Sequence, residues 1–406
     1  MTQASPGHGA PDDPYRVFFP LGVLMGIAGV SIWPLYGFGV TDGYSGTAHA
    51  FVQTNCFLYA FTAGFLWTAI PRFTGTKAPG RAVQFFLAAV LVAELVAFES
   101  YAFTVGHLLF VAAHVTLLAV IVNRFMHRQN PPPETFVLVG IGLLSGLIAA
   151  LINAASGLGW ISAGWDLLGK RLLTEGMILL LVLGVGGFLG PRLLGFAQLP
   201  NLQNPGRLSE QRTVPRMMKW RGVVNGVCGA LLLFLVLVEY GWGDPRVDSV
   251  IVWARAAIVT AVIAMNVRPW RTPATRTTLA WCVWLGHWFL IAGLWLIAIF
   301  PNYHIDFLHV LFMGAFTLLI LAVGTRVVLS HGGHALTEER RSWPLRIGIA
   351  ASVIGMSARV AVIIASSPES YFGHLAWAGV LWIVGMSLWG IYLTRRILSP
   401  QVRADR

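Results

Sequence analysis

Charge is scarce in this sequence. Of 406 residues only 11% are Asp, Glu, Lys or Arg, while 56% are hydrophobic and the mean hydropathy is +0.70. A soluble domain carries roughly 25% charged residues, so the composition excludes that class and implies a polytopic membrane protein. Cysteine is scarcer still. Cys56, Cys228 and Cys282 all fall inside apolar runs, and neither C-x-x-C nor C-x-x-C-H occurs. That argues against iron–sulfur clusters, zinc ribbons and covalently attached c-type haem. There is also no P-loop, no G-x-G-x-x-G after a strand, and no serine-hydrolase or zincin signature. The first apolar run is too long for a signal peptide and lacks a small-residue cleavage site, so it should persist as a helix.

Long apolar runs are what the chain has instead. Twelve fall at about 16–40, 47–71, 80–98, 101–124, 134–157, 168–190, 220–240, 247–267, 276–300, 304–330, 344–365 and 371–394, each near the ~20 residues that span a bilayer core. The expected fold is all-α, an integral membrane protein with twelve transmembrane helices. Residues 1–15 read as a disordered tail, rich in Pro, Gly and Asp. Residues 16–192 form a first six-helix half, 193–219 a cytoplasmic connecting loop, 220–396 a second half and 397–406 a cytoplasmic tail. No sequence repeat relates the two halves. Pro34 should bend the first helix, and Pro71 and Pro191 stand where helices end.

The net charge of +11 points first to nucleic acid, but the basic residues are spread over short loops, so the bilayer is the implied partner and nucleic acid is not. Loops after even-numbered runs, with both termini, carry 22 of the 28 Lys and Arg; loops after odd-numbered runs carry Lys170, Arg171 and Arg246. Both termini are therefore expected in the cytoplasm. The other three, Arg255, Arg326 and Arg359, lie within runs.

With that orientation the histidines fall in layers. His49, His107, His309 and His374 each begin a run that crosses from outside to inside. His114 and His287 lie nearer the midplane. Ionisable groups at these depths are costly and face the bundle interior. Imidazole is a haem and copper ligand; the plainer alternative is a hydrogen bond to a neighbouring helix. His107 and His114 stand on one helix face ~10 Å apart, too far for one metal, so each would serve a separate cofactor. His304 and His309 are ~140° apart around a helix; His309 is the core-facing one and His304 the interfacial one. His331 and His334 flank Gly332-Gly333 and either clamp an ion on the cytoplasmic side or cap a solvated helix end. His8 and His127 read as surface residues. Arg255 and Arg359 each need an anionic partner: haem propionates, or Glu94, Glu175 or Glu239.

The stretch Gly64-Phe65-Leu66-Trp67-Thr68-Ala69-Ile70-Pro71-Arg72-Phe73-Thr74-Gly75 resembles the end of the second helix in the NnrS family, twelve-helix bacterial membrane proteins associated with haem, copper and the nitric oxide response. In that register His49 falls on the first histidine of the family's second-helix motif. His309, Gly314-Ala315, Thr325-Arg326, His331 and Gly333 are similar to its tenth helix, and Gly169, Arg171, Gly186-Gly187 and Pro191 to its sixth. The chain departs from the pattern at Phe51, Val52, Phe188 and Trp284, where the family carries histidine, glutamate, arginine and histidine respectively. His107 and His114 match no family position.

The resemblance implies a haem-binding protein of the bacterial inner membrane, acting in nitrosative stress. It would bind, sense or detoxify nitric oxide, or another small apolar ligand, at a histidine-ligated site in the outer half of the bundle. The implied haem is b-type, with His49 and His309 as its ligands and Arg255 and Arg359 as propionate partners. Copper is the second possible cofactor, with His107, His114, His287, His374 and His331 as candidate metal ligands; His114 and His287 would hold a second, deeper metal. Two rivals stay open: a membrane oxidoreductase resembling the haem–copper enzymes, which requires several histidines on one metal, and a small-molecule transporter, which requires discontinuous helices and an internal repeat.

Overall fold

The computed structural model describes residues 12–197, 216–242, 245–340 and 342–399. Among them there is no strand, and the helices form twelve rods. These are α1 (Tyr15–Gly37), α2 (46–74), α3 (Arg81–Glu99), α4 (Phe103–Met126), α5 (Phe136–Gly157), α6 (Trp165–Leu193), α7 (Arg216–Trp242), α8 (Pro245–Asn266), α9 (Thr278–Ile299), α10 (304–331), α11 (Trp343–Val360) and α12 (Pro368–Leu398). Eleven are long and apolar enough to cross a membrane. The exception, α2, is equally long, but Gln53, Thr54 and Asn55 lower its hydropathy. Most of the connecting loop (198–215) and both chain ends (1–11 and 400–406) lie outside the described residues. The last residues before α1 are anchored: Asp13 is buried against Arg72, whose Nη2 donates to both carboxylate oxygens at 2.9 and 3.1 Å.

Three helices form the centre. Windows within α6 and α10 are 72% and 67% buried, against 28–56% for the other spans, and α2 is buried along nearly all of its length from Thr54 to Pro71. Among the described residues these three alone contain a π-helical stretch, at Val52–Leu58, Leu172–Ile178 and Val310–Phe316. A π turn bonds i to i+5 and inserts an extra residue, so the side chains beyond it are turned relative to those before it. In α10 the hydroxyl of Thr317 completes the turn by donating to the carbonyl of Phe312 at 2.9 Å.

The π-bearing helix is the second of every four, and the helix before it packs against the π stretch each time. Gly26 of α1 meets Phe57, Gly146 of α5 meets Met177, and Gly286 of α9 meets Ala315, in each case the sixth residue of the π stretch. The first residue of each stretch meets Gly29, Ser145 and Gly293 respectively; Ser145 Oγ donates to the Leu172 carbonyl at 2.9 Å. Small residues at these points let helix backbones approach, which is how apolar helices associate in lipid. The bundle thus reads as three consecutive four-helix sets, α1–α4, α5–α8 and α9–α12, each with its π-bearing helix second. α12 packs along both α11 and α1, which closes the bundle.

Candidate functional site

Short α-helical caps precede each π stretch, and the candidate ligands sit in them. Ser45 caps Gly46–Phe51 by accepting from the amide of Ala48 at 3.1 Å. His49 follows one turn later, and His309 is the last residue of the corresponding cap in α10, His304–His309. Each ring is held by one nitrogen. His49 Nδ1 donates to the Gly29 carbonyl of α1 at 2.7 Å, and its ring stands edge-on to Trp33 at 5.4 Å. His309 Nδ1 donates to the Ile305 carbonyl at 2.8 Å, and its ring stands edge-on to Phe312. An Nδ1–H committed to a carbonyl leaves Nε2 as the unprotonated, lone-pair-bearing nitrogen. That is the tautomer and orientation a histidine needs to ligate a metal, with the carbonyl as outer-shell support.

The two imidazoles lie within electrostatic reach of each other, and Arg359 of α11 lies within reach of both. Arg359 is buried and donates through Nη1 to Asp306 at 2.7 Å. Asp306 stands three residues before His309 in the same cap. It was not among the carboxylates that the sequence suggested, because its distance from residue 359 along the chain hides a contact that only helix packing makes. An arginine has five N–H donors, so a single bond to Asp306 leaves most of the guanidinium free for a second anion.

Arg255 is placed differently. It is 3% exposed and forms ion pairs with Glu175 of α6 and Glu239 of α7, while Arg171 also pairs with Glu239. Its partners are thus two of the carboxylates considered from sequence. His304 lies within reach of Arg171 and Arg255 and is half-buried on that side of α10. The two histidines of one cap therefore address different neighbours.

The remaining histidines do not converge. His107 is 4% exposed, edge-on to Phe51 at 4.6 Å and Phe98 at 5.4 Å, with no partner for Nδ1. His114 is fully buried; its Nε2 donates to the Leu143 carbonyl at 2.9 Å, and its ring lies against Tyr59 and Phe110. His287 donates from Nδ1 to the Val283 carbonyl at 2.7 Å and faces Gly186 and Gly190 of α6. His114 reaches α6 at Met177 instead, nine residues or ~13 Å along the helix from Gly186. The structure does not bring His114 and His287 to one metal. His374 donates from Nδ1 to the Ser370 carbonyl at 2.7 Å, in the outer turns of α12. Among the described residues no group of three or more His, Cys, Asp or Glu is placed to hold a metal ion.

At the C-terminal end of α10 His331 and His334 separate. His331 lies on Tyr15 at 6.0 Å, whereas His334 Nε2 donates to the Arg396 carbonyl at 2.9 Å. The ion clamp considered for them is not formed; Gly333, at φ 74°, turns the chain between them. Arg326 pairs with the buried Glu339 at 2.9 Å.

No curated protein matches the chain. The site residues expected from the second and tenth helices, His49 and His309, do share one region of the fold, and the family register that selected them extends through the whole bundle. The sequence matches the NnrS protein family over residues 12–401, and the chain belongs to that family.

Proposed function

We propose that this protein is a haem-binding membrane protein of the nitric oxide response, with His49 and His309 as the haem ligands. The observation that carries the reading is the shared preparation of these two rings: each is anchored through Nδ1, each presents a free Nε2, and both lie in the field of Arg359. The donor set fits a haem, because bis-histidine ligation needs only two imidazoles, from different helices. When bound, haem iron would supply the centre at which a small gas binds or changes redox state. The chain's own residues orient and exclude. Gly29 and Ile305 hold the rings by their carbonyls, Arg359 offers unspent donors to a propionate, and Trp33 and Phe312 shield the imidazoles from water. An apolar, membrane-embedded setting suits an apolar gas, which partitions into lipid.

This reading includes twelve spans with both termini in the cytoplasm of a bacterial inner membrane, supported by the loop asymmetry in Lys and Arg. Reporter fusions after α6 and at the C-terminus should read cytoplasmic. The ligand assignment is tested by haem content and absorption spectrum, with and without nitric oxide. His49→Ala and His309→Ala should each abolish the low-spin spectrum, while His374→Ala keeps it. Retention of full low-spin haem in both, with loss in His107→Ala, would move the site to α4.

A further inference from the structure

Five acidic residues are buried among the described residues: Asp13, Glu94, Glu175, Glu239 and Glu339. Four of them face an arginine, as Asp13 does Arg72, Glu175 and Glu239 do Arg255, and Glu339 does Arg326. Glu94 of α3 is the exception. It is 0% exposed, no ion pair reaches it among the described residues, and neither carboxylate oxygen accepts a hydrogen bond of ordinary geometry. α3 packs against α4, α1 and the π stretch of α2. On that stretch and the turn after it, the Asn55 side chain is placed to donate to Glu94, and Cys56 and Tyr59 lie within its electrostatic reach; all three are fully buried. Asn55 has its Oδ1 taken by the Thr54 hydroxyl at 2.9 Å, but its Nδ2 is unpartnered, and so is the Tyr59 hydroxyl. Two acceptors and two donors are thus orphaned in one place. Buried polar atoms in native proteins are nearly always satisfied, and an internal water is the usual means.

An ionised carboxylate is not sustained in the membrane interior without a cation or several donors. Glu94 has no cation, so the form compatible with its surroundings is the carboxylic acid, whose O–H is a donor and whose carbonyl is an acceptor.

We propose that Glu94, Asn55 and Tyr59 form a proton-binding site inside the bundle. Glu94 carries the proton on one carboxylate oxygen and releases it to a water held by Asn55 Nδ2 and the Tyr59 hydroxyl; the same oxygen later takes a proton back, and nothing is oxidised or reduced. Cys56 and Tyr59 are the titratable groups facing it from α2. Cys56 contributes an apolar, protonated wall.

The test is infrared difference spectroscopy of the full-length protein in detergent at neutral pH, and it needs no haem. The site gives a carboxylic-acid C=O band that is lost in Glu94→Gln, the neutral isostere. The band shifts down promptly in D2O, and shifts up in Tyr59→Phe as a hydrogen bond is removed. A spectrum with only carboxylate bands, unchanged by Glu94→Gln, overturns the proposal. So does an acid band that stays unshifted in D2O, since that proton is sealed in the fold. If Glu94→Gln fails to fold, the Tyr59→Phe and D2O shifts in otherwise intact protein decide the matter alone.

Discussion

The second and first four-helix sets treat buried polar groups in opposite ways. In the second, Arg255 is matched by Glu175 and Glu239, and Arg171 balances the remaining charge. Every charged group in that cluster has an oppositely charged partner. In the first set, with its neighbours on α10 and α11, the polar groups are held but not spent. His49 and His309 are each bound through one nitrogen, and Glu94, Asn55 and Tyr59 keep orphaned atoms. Charge in a membrane is either cancelled for the sake of the fold or kept incomplete for something that binds. The two outcomes can be told apart by counting what remains unsatisfied, which residue type alone does not reveal.

The largest effect should come from breaking the cancelled cluster. Arg255→Met leaves two carboxylates buried without their shared cation and should cost about 3–5 kcal/mol. Thermal denaturation in detergent checks it, and adding Glu175→Gln should restore part of the loss, since the stranded charge rather than the missing bond is the main penalty. A smaller cost is expected on the other side of the comparison. Asp306→Asn removes one charge-assisted hydrogen bond from Arg359, worth about 1.5–3 kcal/mol. It also frees that guanidinium, so haem retention should hold or improve while thermal stability falls. Loss of haem in this variant would mean that Asp306 supports the site itself.

Next is the C-terminal end of α10, far from either cluster. Arg326→Ala strands the buried Glu339 and should cost about 1–3 kcal/mol with the haem spectrum unchanged. A changed spectrum would show that the end of α10 is coupled to its histidine cap. The smallest effect should be Arg396→Ala. Its pair with Glu338 is partly exposed on both sides, 36% and 28% by side chain, and such pairs contribute at most about 1 kcal/mol. Raising salt should leave the Arg396→Ala difference near zero while the Arg255→Met difference persists, because only exposed pairs are screened.

Much of the architecture was legible in the sequence. The observed helices overlap all twelve apolar runs, and the family register chose His49 and His309, the two rings that the fold brings near each other. Less was legible where contacts cross between helices. Arg359 was assigned a glutamate or a propionate, and the structure supplied Asp306. His304, read as interfacial, also lies within reach of Arg171 and Arg255. His114 and His287, read as one layer, meet different neighbours.

Composition and hydropathy by themselves determined the class of protein, the length and spacing of its helices and the bias of its loops. Each is a local property, summed over ~20 residues against a bilayer of known thickness. The tertiary structure alone decided which helices are central, where the π turns fall and which buried charge is cancelled. A π turn rotates every side chain beyond it, so the face a residue presents cannot be counted from the helix start. Whether a buried group is satisfied depends on atoms that the chain brings in from tens or hundreds of residues away.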